Sequence, residues 1–394
     1  MDISFYFDPV SPEVFEFSSP TDHERIFDVI KAHKAAGEFP DLDYIKLAIV
    51  GINEDRAAHL NKGCAKGPDH VRRYFYNLYS HWKNLAIADL GNIKRGHAVE
   101  DTYFAAKEAI AFLLSNNITP IIIGGSQDLT YANYLAYEDI GRVINIAAVD
   151  PLFDLGNDEH ELNSRSYLSR IILHQPNFLF AYTNIGYQTY FVDKDAVGLM
   201  RNLLFDVHRL GKVNLDIEEA EPMIRNADIL SIDISAIRAS DAPGNFNAGP
   251  NGFYGEEVCR ICRYAGISDK LSSIGFYEFN PEYDNKGQTA HLIAQMIWYF
   301  IDGFMNRKDD FPEDNKEFME NYVRFIVKVD DFEDELIFLK SKKTDRWWMQ
   351  VTIKNNVHKK YKRHQFVPCS YNDYKAALNQ EIPDRWWKVQ QKLL

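Results

Sequence analysis

From about residue 45 the chain alternates short β-branched runs with longer helical patterns, and this alternation limits the available folds more than any other feature. The runs are "IKLAIVGI" (45–52), "NLAIADL" (84–90), "PIIIGG" (120–125), "RVINIAAVD" (142–150), "NFLFAYTNIG" (177–186), "ADILSIDIS" (227–235) and "SSIGFYEFN" (272–280). Each is almost continuously apolar, as a strand must be when both faces of its sheet are covered. Between them, "AVEDTYFAAKEAIAFLLSNN" and "DAVGLMRNLLFDVHRLG" carry helical periodicity, and a last helix is expected from Thr289 to Met305. The expected architecture is α/β, with a mostly parallel sheet between two helical layers. It spans residues 45–306 and follows an N-terminal extension, 1–44.

The grammar changes after "NRKDDFPEDNKEFMEN", a charge-dense connector. "YVRFIVKV", "ELIFLK" and "WWMQVTI" read as short antiparallel strands, followed by a basic segment and one last helix. Residues 307–394 are therefore expected to form a small C-terminal α+β appendage. The tetrapeptide "DRWW" occurs twice in it, at Asp345–Trp348 and Asp384–Trp387. The favoured reading is aromatic anchors that dock the appendage, ahead of a partner site. The basic run "HKKYKRHQF" (His358 to Phe366) is read as a solvated face.

Composition excludes several classes. At 46% apolar and 26% charged residues the chain is globular, and a net charge of −13 argues against an overall nucleic-acid footprint. No secretory signal is expected from "MDISFYFDPVSPEVFEF", and "HLIAQMIWYFIDGFM" is too short and too interrupted by Asp302 to span a membrane. Four scattered cysteines make no disulfide framework, and the Cys259-x-x-Cys262 pair suits packing on one helix face. A cytoplasmic location is the expectation.

The strand ends carry the chemistry. Asp150 and Asp154 follow "VINIAAV", Asp233 ends "ADILSID", Glu278 ends "SSIGFYE", and Gln127 follows the Gly124-Gly125 turn. Ligand crevices of parallel sheets lie at these carboxyl ends. A cluster of acids there needs cations or protons, because an unpaired buried charge is costly.

In this order, "GGSQD" (Gly124–Asp128), "DPLFD" (Asp150–Asp154) and "SIDISAIRASDAPG" (Ser231–Gly244) resemble the three signatures of the ureohydrolases, the family of arginases, agmatinases and formimidoylglutamases. Those signatures are Gly-Gly-Asp-His-Ser, Asp-Ala-His-x-Asp and Ser-x-Asp-x-Asp-x-x-Asp-Pro. "NKGCAKGPDHVR" (Asn61–Arg72) and "EFNPEYD" (Glu278–Asp284) resemble two further family elements, and "NSRSY" (Asn163–Tyr167) resembles the formimidoylglutamase loop. The resemblance covers about residues 45–306. It implies a three-layer α/β/α arginase-like fold, homo-oligomers, and two manganese ions holding a hydroxide that attacks a guanidinium or formimino carbon.

Carried over residue by residue, the resemblance keeps Asp150, Asp154 and Asp233 as metal ligands and Glu278 as the receptor of a substrate's cationic group. Gln127 stands where the family has a metal-binding His. Leu152 and Ser235 stand where the second metal has its own His and Asp, and Arg238 replaces a third acid. The catalytic loop His has no good match; His160 is the nearest. Gln127 and the three acids form an all-oxygen set suited to one Mn2+, Mg2+ or Ca2+, whereas leucine cannot ligate and serine ligates poorly. The expected cofactor is therefore none or one divalent cation, with Arg238 a candidate replacement for the missing charge. Three functions compete on these residues. The first is a ureohydrolase-fold protein that has lost dinuclear hydrolysis and binds a small ligand or a partner. The second is a single-metal, formimidoylglutamase-like C–N hydrolase, and the third a scaffold acting through its appendage.

Overall fold

In the computed structural model the described residues are all but 1, 18–23, 157–160, 314, 316–318, 331, 333, 354–358 and 394. His160 and His358 lie outside them. Among the described residues fourteen strands form two sheets. The first comprises β1 (Phe7–Asp8), β2 (Lys31–Ala32), β3 (Leu47–Ile52), β4 (Ile87–Ile93), β5 (Thr119–Ile123), β6 (Ile144–Val149), β7 (Leu179–Tyr187), β8 (Asp206–Arg209), β9 (Ile229–Asp233) and β10 (Ser273–Tyr277). Its order is β1-β4-β3-β5-β10-β9-β6-β7-β8, with β2 also on β4. Only β1 runs antiparallel to its neighbour.

All seven expected strands are present. The apolar runs explain why: β3, β5, β6, β9 and β10 are buried at every residue. One core lies under the helices Gly67–Phe75, Gly255–Gly266 and Gln288–Met305; the other lies under Val99–Ser115, Leu129–Asp139 and Tyr167–Leu173. Cys259 and Cys262 are buried free thiols in the first of these cores. The single long helix expected across Asp195–Gly211 is corrected. A helix at Lys194–Asn202 stops, β8 follows, and a new helix starts at Leu210. The N-terminal extension supplies β1 and β2 to the edge of the main sheet.

The appendage is a four-stranded antiparallel sheet, β11 (Tyr322–Val327), β12 (Leu336–Ser341), β13 (Trp347–Gln350) and β14 (Phe366–Cys369), in that order. Helices Tyr371–Leu378 and Asp384–Leu393 follow, one more than expected. Its core takes in Val143 and Phe180 of the main sheet region. The basic run is not a uniformly solvated face: Arg363 pairs with Asp228 at 2.5 Å, and buried His364 stacks on Phe180 with ring centroids 4.0 Å apart.

The DRWW segments divide their work. Trp347, Trp348 and Trp386 are buried, and only Trp387 is substantially exposed. Buried Arg225 of the main domain lies 4.3 Å from the Trp348 ring centroid and donates to the carbonyls of Trp347 and Cys369. Its Nε donates to Glu221 at 2.8 Å. Arg225→Ala strips donors from two buried carbonyls and a cation from the indole face, a loss of about 2–3 kcal/mol. Urea unfolding followed by tryptophan fluorescence should show that loss.

Candidate functional site

The strand order assembles the site. β5, β10, β9 and β6 are consecutive neighbours at the centre of the sheet, so the residues after them, Gln127, Glu278, Asp233 and Asp150, arrive side by side at one end. The turn after β5 must be glycine: a Cβ on Gly125 would sit 1.7 Å from the Glu54 carbonyl oxygen. Asp128 anchors the turn from behind, accepting from Tyr103 Oη at 2.6 Å, and burial raises its pKa to about 6.

β6 and β9 end alike. Asp150 Oδ1 accepts from the Leu152 backbone N–H at 2.7 Å, and Asp233 Oδ1 accepts from that of Ser235 at 2.7 Å. Each aspartate thereby closes its own turn and keeps a second oxygen for the cluster. Asp154 joins from the next turn with φ of +49°, a left-handed conformation that aspartate adopts more readily than most residues other than glycine. Asp150 Oδ2 and both carboxylate oxygens of Asp154 are buried without a hydrogen-bond donor among the described residues. Asp150 and Asp154 are close enough for one to donate a proton to the other.

The cation that meets these acids is Arg165. Its Nη1 lies 3.7 Å from Asp154 Oδ1, and its charge acts on Asp150 and Asp233 as well. It does not neutralise them fully. Burial first, then mutual repulsion, holds Asp154 and Asp233 well above the ordinary carboxylate range, and burial raises Asp150. Arg165 lies in the "NSRSY" segment, and nothing in its spacing from the strand ends marked it as the countercharge. The expected countercharge, Arg238, is corrected. Its guanidinium lies 3.4 Å from the Tyr254 ring centroid, because the turn Ile234–Ala236 carries the chain away to bridge Ile237 with Phe253.

Two other side chains are engaged differently from the roles the resemblance implies. Glu278, with φ of +66°, accepts from the Gln127 backbone N–H at 2.9 Å and from Asn61 Nδ2 at 2.7 Å. Both oxygens thus staple the glycine turn to the Asn61 loop. Gln127 turns its amide nitrogen toward Tyr167 Oη and Ser231 Oγ. Above the acids opens a cleft of about 990 Å3, whose walls include Leu152, Asp154, Arg165, Ser235, Asn247 and Asn251. His59 also faces it.

Among the described residues no three His, Cys, Asp or Glu side chains are grouped to hold a metal as they stand. The donor chemistry nevertheless suits one hard cation, since the orphaned oxygens of Asp150 and Asp154 are what such an ion takes. Leu152 offers only its backbone, and the Ser235 hydroxyl is neutral and buried.

A mostly parallel three-layer sheet with a carboxylate cluster on β6 and β9 and a glycine turn after β5 defines a ureohydrolase-type protein. The Arginase family model matches residues 45–302, and the chain belongs to that family. A formimidoylglutamase of Staphylococcus aureus (strain MSSA476) is 26% identical over 266 residues, covering 65% of this chain and 85% of the relative. The crystal structure of formimidoylglutamase from Bacillus subtilis superposes with a TM-score of 0.65 at 17% identity, covering 74% of this chain and 95% of that one. Trypanosoma cruzi formiminoglutamase with Mn2+ also gives 0.65 at 17% identity, covering 73% and 100%.

Glu278 makes the site pH-sensitive. Burial pushes its pKa up to about 7, against the hydrogen bonds from Asn61 and Gln127. A carboxyl raised on folding destabilises nothing below its unfolded pKa near 4.3, then costs stability as pH climbs toward 7. In EDTA, Glu278→Gln should therefore gain on the wild type by up to about 3 kcal/mol between pH of about 4.5 and 7.5. Denaturant titrations of both proteins across that range measure the gain.

Proposed function

We propose that this chain is a ureohydrolase-fold protein that binds a small amidine-bearing ligand, of guanidino or formimino type, and has given up dinuclear manganese hydrolysis. The observation that carries the reading is the guanidinium of Arg165 beside Asp154, together with Leu152 and Ser235 at the positions the second metal would need. A fixed cation and bound protons then do for the acids what metals do in a two-metal centre. In the cleft, Asp154 faces the ligand's cationic end, Arg165 is placed for a carboxylate, and Asn247 and Asn251 supply neutral polar contacts. Glu278 holds the turn and does not touch the ligand in this reading. Cytoplasmic location and homo-oligomeric assembly accompany it as proposals; among the described residues no helix is long and apolar enough to cross a membrane.

A second reading is a C–N hydrolase of formimidoylglutamase type that uses one metal. The orphaned carboxylate oxygens favour it, as do relatives bearing that name. Asp150, Asp154 and Asp233 would hold the ion, which when bound would acidify a water molecule. The protein's own part would be to keep those acids deprotonated and to orient the ligand along Arg165.

Metal content separates the two. After excess Mn2+ and gel filtration, the ligand-binding reading expects no retained manganese in the wild type. It expects a gain toward one equivalent in Arg165→Ala, where the competing charge is gone. Near one equivalent in the wild type, lost in Asp150→Ala and accompanied by turnover of N-formimidoylglutamate or arginine that Asp233→Ala abolishes, establishes the hydrolase instead.

A further inference from the structure

A second cleft, of about 590 Å3, opens at the opposite end of the sheet, where β5, β6 and β10 begin. Its walls come from both parts of the chain. Leu114, Asn117 and Ile118 lead into β5, Arg142 precedes β6, and Lys270 precedes β10; Arg307 follows the last core helix, and Arg363 is supplied by the appendage. Four cations therefore face one cavity.

Their bonding is uneven. Arg363 is satisfied, by Asp228 at 2.5 Å and the Val143 carbonyl at 2.9 Å. Lys270 is only 7% exposed, and its Nζ has a single hydrogen bond, to Asn226 Oδ1 at 3.0 Å. Arg307 donates to two backbone carbonyls, of Gly266 and Leu271, both at 2.8 Å. Neither buried Lys270 nor half-buried Arg307 has a carboxylate within ion-pair distance among the described residues, and nor does half-buried Arg142. Burial accordingly pulls the pKa of Lys270 down to about 7 and that of Arg307 down to about 10.

The acids on the same walls do not fill the gap. Asp269 accepts from the Asp310 backbone N–H at 2.8 Å, and burial together with Asp310 holds its pKa above the ordinary range. Asp309 and Glu313 are exposed, where water screens them. A buried cation such as Lys270 is costly without a counter-ion, and a cavity that gathers it with two half-buried arginines lacks an anion.

We infer that this cleft between the arginase-like domain and the appendage binds a phosphorylated small molecule, with Lys270, Arg307 and Arg142 as its contacts. A phosphate group presents three oxygens and close to two charges to three separate donors, whereas a carboxylate presents two oxygens and one charge. The site is independent of the carboxylate cluster, which lies at the other end of the strands. It gives the appendage a purpose beyond packing, because Arg363 and its ion pair close one wall.

Calorimetric titration of the full chain with inorganic phosphate, pyrophosphate and citrate, at matched ionic strength, tests the assignment. Phosphate or pyrophosphate should bind one per chain and citrate more weakly. Lys270→Met should weaken that binding roughly tenfold or more and Arg142→Gln several-fold, while Asp154→Asn in the other cleft leaves it unchanged. Among the described residues Arg142 makes no side-chain hydrogen bond, so its variant remains decisive if the Lys270 variant fails to fold. Silence from both phosphates, a preference for citrate, or wild-type affinity in the folded variants would each overturn the proposal.

Discussion

The functional end of this molecule is governed by the cost of keeping like charges out of water. Asp150, Asp154 and Asp233 are buried at one point, with Glu278 close behind. No packing of apolar groups can compensate for that arrangement; it exists only with cations or protons beside it. Arg165 supplies one fixed charge, and the upward displacement of the aspartate pKa values leaves room for protons or for one further cation. Everything distinctive about the site follows from which of these the protein uses.

The scaffold that imposes this demand is set by strand order. Because β5, β10, β9 and β6 are adjacent, four sequence segments up to about 150 residues apart end together. The glycine turn, the paired Asp–backbone turns and the Glu278 staple then fix the geometry with local hydrogen bonds. None of these devices requires a metal. The frame therefore draws only on the backbone N–H groups of Leu152 and Ser235, whatever their side chains carry. The left-handed backbone at Glu278 persists because hydrogen bonds to both of its carboxylate oxygens over-determine it.

Most of the frame was legible because buried strands have an unmistakable composition. What escaped was short or disguised. β8 is three half-buried residues and one exposed one at the sheet edge, "DVHR", and its flanking helices merged across it into one periodic pattern. β14, "FVPC", hid behind a basic run and contains a proline, which its position as the outer strand of its sheet tolerates. At the site, the acids could be placed by their strands, but the countercharge could not. Arg238 occupies the motif position and turns onto Tyr254, while Arg165 arrives from a loop whose path only tertiary packing decides.

The two clefts obey one electrostatic rule with opposite signs. At the carboxyl ends of the strands, acids outnumber the cation that faces them; at the amino ends, Lys270 and Arg307 have no carboxylate within ion-pair distance among the described residues. A protein of net charge −13 has carboxylates to spare, so leaving those two cations unpaired is not forced by composition. Either imbalance alone could be relaxed by a single substitution to a neutral residue, at a gain in stability. Both stand in one chain, one at the crevice of the strand ends and one at the seam with the appendage, and the two binding proposals share that origin.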